Sequence, residues 1–169
     1  MKALAIACAL TVGLTAPALA HVTIETQEVA AGTTFKAVLR IPHGCAGEAT
    51  TAVRVRMPEG FFNVKPMPKP GWELQTLSDN YAKAYLSHGA EVSEGVVEIM
   101  WSGGNLPDAY YDEFVFRGTV DGEIGADTIL YFPTIQACGD AEEAWIDVTG
   151  AEDADKPAPK VTVVPAHAH

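Results

Sequence analysis

The residue with the most chemistry to offer is His21. It follows Ala18-Leu19-Ala20, a small-x-small run of the kind that signal peptidase cuts, and before that a charge-free stretch from Ala3 to Ala16 behind a single basic residue, Lys2. Cleavage after Ala20 would leave His21 with a free α-amine. The amine nitrogen and ring Nδ1 of one histidine then close a chelate ring around a single metal ion, so one residue fixes two nitrogen donors. A nitrogen-rich set of this kind suits Cu(II) best among divalent ions, by the Irving–Williams order and its tetragonal preference. The amine must lose its proton first, so such binding weakens in acid. The competing reading of residues 1–20 is a membrane helix. Its apolar stretch is short for a span of about 20 residues, and the small-residue ending favours cleavage. The competing reading of His21 is that cleavage exposes an arbitrary residue.

One chelating histidine does not complete a site. A carboxylate is the usual oxygen partner, and Glu25, Glu28 and Glu48 are the nearest in sequence. Spacing does not choose among them. Cys8 would leave with the leader, so an exported chain keeps Cys45 and Cys138, which are expected to pair outside the cytoplasm. They lie 93 residues apart. Closing a loop of that size contributes about 4–5 kcal/mol through the entropy of the unfolded chain. A thiolate copper or zinc site is the alternative, with two distant cysteines and no Cys-x-x-Cys as a weak basis. Met57, Met67 and Met100 are scattered and form no Met-rich run, which favours Cu(II) over Cu(I). No Gly-x-Ser-x-Gly, Gly-rich phosphate loop before a helix or His-Glu-x-x-His is present.

These residues must be held by strands. In Thr34 to Ile41, Phe35, Ala37, Leu39 and Ile41 point one way and Lys36 and Arg40 the other. In Ala52 to Met57, Val53, Val55 and Met57 oppose Arg54 and Arg56. A period of two marks half-buried strands. Further β-like runs cover 22–26, 72–77, 82–86, 96–101, 113–120, 128–132, 145–148 and 161–164. Turn signals separate them: Pro42-His43-Gly44, Pro58-Glu59-Gly60, Ser102-Gly103-Gly104 and Asp121-Gly122. No helical period is sustained after residue 20. The pattern predicts an all-β antiparallel sandwich, with a barrel as the alternative. The expected organisation is a cleaved leader at 1–20, a sandwich domain at 21–149, and a polar linker at 150–169. That last segment carries a candidate edge strand and a tail with His167 and His169.

The chain has 169 residues, with 22 acidic side chains against 11 basic ones and a formal charge of −11. That balance argues against a nucleic-acid binder and against docking on anionic lipid. Its 48% apolar content is too high for a disordered chain. Loss of Lys2 with the leader would make the charge one unit more negative.

The ordered fragments resemble a known family. They are His21-Val22-Thr23-Ile24, Arg40-Ile41-Pro42-His43-Gly44-Cys45, Thr50-Thr51, and Pro66-x-Pro68-Lys69-Pro70-Gly71-Trp72. Then follow Trp101-Ser102-Gly103-Gly104-x-Leu106-Pro107, Glu113-Phe114-x-Phe116 and Tyr131-Phe132-Pro133-x-x-Gln136-x-Cys138. In that order they resemble the YcnI-like family of exported copper-binding domains. The resemblance implies an immunoglobulin- or fibronectin-like antiparallel β-sandwich. It also implies a Cu(II) site in which the N-terminal histidine supplies amine and ring nitrogens, a mono-histidine brace, with a glutamate and a nearby tryptophan. Carried over residue by residue, the histidine is His21, the glutamate Glu48 and the tryptophan Trp145, with Trp101 in reserve. Indole N–H only donates hydrogen bonds, so Trp145 is expected as a neighbour that shields the metal and adds a cation–π contact. Trp72 and Trp101 are expected in the core. His43 is expected to bond locally in its turn, and His88 to be exposed.

The expected function is an exported, periplasmic or extracytoplasmic protein that holds or delivers Cu(II) without chemical turnover. Its expected partner is a membrane copper transporter or another exported copper carrier. No nucleic acid and no membrane insertion of the cleaved chain are expected. Two alternatives stand beside this. A copper-dependent oxidative enzyme would need a second histidine in a three-nitrogen set, for which only His43 and His88 are available. A metal-free structural sandwich would be indifferent to a residue added ahead of His21.

Overall fold

The alternating runs form antiparallel strands in a computed structural model that describes residues 21–166. The expected leader at 1–20 and the two tail histidines fall outside those residues. In chain order the strands are β1 (Thr23–Ile24), β2 (Glu28–Ala30), β3 (Thr34–Ile41), β4 (Thr50–Arg56), β5 (Phe61–Pro66) and β6 (Glu73–Ser87). They continue with β7 (Ala90–Leu106), β8 (Asp112–Val120), β9 (Ile129–Tyr131), β10 (Thr134–Cys138), β11 (Ala141–Trp145) and β12 (Lys160–Val164). One sheet has the order β1-β3-β8-β5, a second β11-β10-β4-β7-β6, and a third β2-β12-β9.

The inward faces of the first two sheets meet in one core. Leu39 and Ile41 of β3 and Phe114 and Phe116 of β8 are buried with Val53 and Val55 of β4 and Ile99 and Trp101 of β7. The Trp101 and Phe114 rings meet edge-on at 5.5 Å. The Trp101 indole N–H donates to the Met67 carbonyl at 3.1 Å, so the largest buried side chain leaves no polar atom unpaired. Trp72 packs on Phe114 at 4.9 Å and lies over Gly104 so closely that a Cβ there would be 2.1 Å from its ring. Phe132, just past β9, brings the third sheet onto the same core, 5.4 Å from Phe61 and 5.8 Å from Phe116.

Several elements differ from the sequence reading. Ser102-Gly103-Gly104 lies inside β7 as an irregularity opposite Thr50 and Ala52, not as a turn after a strand. The expected strand at 145–148 stops at Trp145, because Ile146 and Val148 are half exposed and Asp147 folds back onto Thr149. The two runs at 72–77 and 82–86 join into β6, which pairs with β7 through a hairpin whose His88 and Gly89 both have positive φ. That is the backbone of a type I′ turn, and it leaves His88 exposed at the tip. Lys160–Val164, expected as an edge strand after a linker, is the middle strand of its sheet, with Val161 and Val163 fully buried. The folded unit therefore runs past residue 149.

Tyr85 ties the β6–β7 hairpin to the sandwich. Its ring stacks on Phe62 at 4.6 Å, its hydroxyl donates to the Glu59 carboxylate at 2.7 Å, and the Gly60 N–H donates to it at 2.8 Å. Burial pushes the phenol up to about 12 from its ordinary value of 10.0, and the neighbouring Glu59 carboxylate acts the same way, against the Gly60 N–H. Folding thus favours the neutral phenol. That contribution is complete below pH 10.0 and disappears as pH rises towards 12. Denaturant unfolding across this window should show the native chain losing stability relative to Tyr85→Phe. Parallel pH profiles for the two proteins would refute the assignment.

Candidate metal centre

β1 carries His21 to the end of the first sheet. Thr23 pairs with Arg40 and Ile24 with Leu39 on β3. Extended by two residues, this register sets His21 across from Pro42, where the Pro42-His43-Gly44-Cys45 turn begins. Val22 and Ile24 are buried beneath it and fix the strand's face.

The turn after Pro42 is closed twice. Cys45 N–H donates to the Glu48 carbonyl at 3.0 Å, and Glu48 N–H returns the bond to Cys45 at 2.9 Å. Between them Ala46 and Gly47 have φ of 51° and 93°, again a two-residue type I′ arrangement. Gly44 has to be glycine, because a Cβ would sit 1.9 Å from the Glu48 carbonyl oxygen. The disulfide expected from the sequence is present: Cys45 and Cys138 are joined, with Cα atoms 5.8 Å apart. It ties this turn to the end of β10. Glu48 is therefore held by its backbone while its side chain is exposed.

The His21 ring meets Trp145 edge-on, with centroids 5.8 Å apart. Of its two ring nitrogens, Nε2 is buried and without a hydrogen-bond partner. Trp145, nearly buried at the end of β11, donates its indole N–H to Gln136 Oε1 at 3.1 Å. The Gln136 amide then donates to the His43 carbonyl at 2.7 Å and to Thr50 Oγ1 at 2.8 Å. Thr50 Oγ1 is 3.7 Å from Cys138 Sγ. Gln136 is fully buried, and it is the residue the sequence reading left without a role. It links the Trp145 that His21 touches to the turn that holds Glu48. A polar residue at an inward position of a strand was the available signal.

The structure brings His21 and Trp145 into contact and sets the disulfide turn beside them. No hydrogen bond or ion pair joins Glu48 to His21. Glu25 is engaged elsewhere, in a 3.1 Å ion pair with Arg40, and Glu28 is exposed on β2. His43 Nδ1 lies 2.5 Å from the adjacent Gly44 carbonyl, a local bond. His21 also lines a cleft of about 310 Å³, together with Gln27, Glu152, Ala154, Pro157 and Lys160 among others. Among the described residues no three His, Cys, Asp or Glu side chains converge as a metal cage. His21 itself could offer a metal two donors once its amine is free. Nδ1 is the nitrogen whose position on the ring lets it close a chelate with the residue's own backbone nitrogen, whereas Nε2 is too remote. That donor chemistry fits a brace and fits no cage of three side chains.

A family model described as "Domain of unknown function (DUF1775)" matches residues 21–163. No curated protein matches the chain. Among solved structures, an uncharacterized protein from Nocardia farcinica, whose crystal structure reveals an immunoglobulin-like fold, is 24% identical with a TM-score of 0.63. The match covers 85% of this chain and 98% of that one. A cohesin module from a Clostridium perfringens family 33 glycoside hydrolase is 16% identical with a TM-score of 0.49, covering 86% of this chain and 97% of that one. The fold is an immunoglobulin-like antiparallel β-sandwich.

Proposed function

This chain belongs to the DUF1775 family, the name under which YcnI-like domains are grouped, and we propose that it is an exported protein that holds or delivers Cu(II) through His21. In this reading residues 1–20 are removed on export and the new amine of His21 joins its Nδ1 in a brace. Copper is the cargo, passed to or from a membrane copper transporter or another exported carrier. The buried disulfide supports an oxidising compartment.

The observation that carries the reading is the seating of His21. Its ring edge is buried against Trp145, while no set of three conventional ligands converges among the described residues. Trp145 spends its N–H on Gln136, so it offers the metal a ring face or edge and no donor atom. Gln136 in turn fixes the indole, which restricts the imidazole. Glu48 is the carboxylate proposed to complete the set, since the disulfide and the paired turn hold its backbone and leave its side chain free to turn inward.

Glu48→Gln tests that assignment. It should weaken Cu(II) binding by about 10- to 100-fold, or alter the copper spectrum, while leaving the fold intact. If affinity and spectrum are both unchanged, Glu48 is the wrong carboxylate. Turnover is tested separately with ascorbate and oxygen on the copper-loaded chain, and a carrier should show none.

A further inference from the structure

The outer face of the first sheet carries an unusual charge arrangement for so acidic a chain. Lys36 of β3 pairs directly with Arg117 of β8, and Arg117 pairs directly with Lys65 of β5. Directly opposed residues on an antiparallel pair point to the same face, and all three side chains are exposed. Among the described residues none of the three takes part in an ion pair, although Arg40, Lys69, Lys83 and Lys156 all do. Like charges set directly across strands destabilise a sheet. With 22 carboxylates in the chain against 11 basic residues, three uncompensated cations in one row are a cost in the free protein.

The row borders a cleft of about 640 Å³. Met67, Pro68 and Val115 are among the apolar residues that line it, its only charged lining residues are these three cations, and Met67 is 54% exposed. An occupant must therefore offer both anionic and apolar groups. Inorganic phosphate and anionic glycans lack the apolar part. An anionic bilayer is repelled by the net charge and cannot enter a concave site. An extended polypeptide meets both demands. Its same-face side chains repeat about every 7 Å, and three strands spaced about 4.8 Å apart spread the cations over roughly 10 Å. Acidic residues at i and i+2 fall within that span, with apolar side chains at i+4 and i+6 of the same face over the cleft.

We propose that the Lys36–Arg117–Lys65 row and its apolar cleft form a docking surface for an extended acidic-and-apolar segment of a partner protein. The row lies about five residues along β3 from the His21 end, roughly 17 Å, so docking leaves that end open. The proposal does not depend on copper.

The test uses a fluorescent peptide, Gly-Glu-Ser-Glu-Ser-Leu-Ser-Phe-Gly, whose acidic and apolar side chains share one face when extended, with an all-Glu peptide, heparin and phosphatidylglycerol vesicles as comparators. The native chain should bind the mixed peptide in preference to all three, with affinity falling as salt rises. Lys36→Gln combined with Arg117→Gln should weaken binding about tenfold and at the same time raise Tm, because the opposed charges are relieved. Arg54→Gln with Arg56→Gln removes the same charge from β4 of the other sheet and should leave binding within about twofold. Absence of binding, equal weakening by both double variants, or preference for heparin or vesicles would each overturn the proposal. A Tm lowered by Lys36→Gln/Arg117→Gln would overturn the argument from charge cost.

Discussion

A chain whose His21 α-amine is acetylated is expected to bind Cu(II) at least about a hundredfold more weakly than a chain that begins at a free His21. Acetylation turns the His21 amine into an amide with no free amine beside it, so its nitrogen lone pair stays delocalised into the carbonyl. The ring nitrogen then acts alone, and the two-donor chelate is lost. A hundredfold corresponds to about 2.7 kcal/mol, which is modest for removal of a direct donor. The fold should be untouched, since β1 begins only at Thr23 and its pairing with β3 does not use the His21 amine. Competition titration against a chelator of known affinity measures the difference. Binding by the chain that begins at His21 should also fall as pH drops, because protons compete for the amine. A metal-free structural sandwich predicts the same result for both chains.

Replacing Cys45 and Cys138 together by serine should cost about 3–5 kcal/mol of stability, read as a lower denaturant midpoint. The bridge closes a 93-residue loop, and both residues are buried, so two hydroxyls would also enter a site shaped for sulfur. The same variant unties the Cys45–Glu48 turn from β10. Under the copper reading it should therefore weaken metal binding as well, in conditions where the protein stays folded. A loss of less than about 1 kcal/mol would show that the turn and β10 hold their places without the bridge.

Much of the sandwich was legible because most of its strands bury one face. β3 alternates in part as read, with Leu39 and Ile41 inward and Lys36 outward although Val38 is buried as well, and β4 buries Val53 and Val55 beside exposed Arg54 and Arg56. β10 was hidden for a physical reason. Its alternation is inverted, with Thr134 and Gln136 fully buried and Ile135 and Ala137 only partly so. A hydrophobicity pattern reads that as noise, whereas the hydrogen bonds of Gln136 make it a deliberate polar link. β5 was hidden differently. Phe61 and Phe62 face opposite sides, and both are buried because Tyr85 covers the second. The Ser102-Gly103-Gly104 run looked like a turn because its glycines serve other purposes: Gly104 admits the close approach of Trp72, and Gly103 takes a positive φ of 74°.

The site was legible in its residue types and less so in its wiring. His21 and the cysteine pair stood out from processing and redox chemistry. The contact between His21 and Trp145 came from resemblance, and spacing across more than a hundred residues could not supply it. Gln136 and the reciprocal Cys45–Glu48 turn depend on β10 and on positive φ values at Ala46 and Gly47, which only the folded backbone reveals.

The central claim is that one residue supplies two copper donors. Its most direct test is the electron paramagnetic resonance spectrum of one equivalent of Cu(II) on a chain that begins at His21. The account predicts a single tetragonal signal with nitrogen couplings, abolished or replaced when the α-amine is blocked and when His21 is changed to alanine. A signal that survives amine blockage unchanged would contradict it.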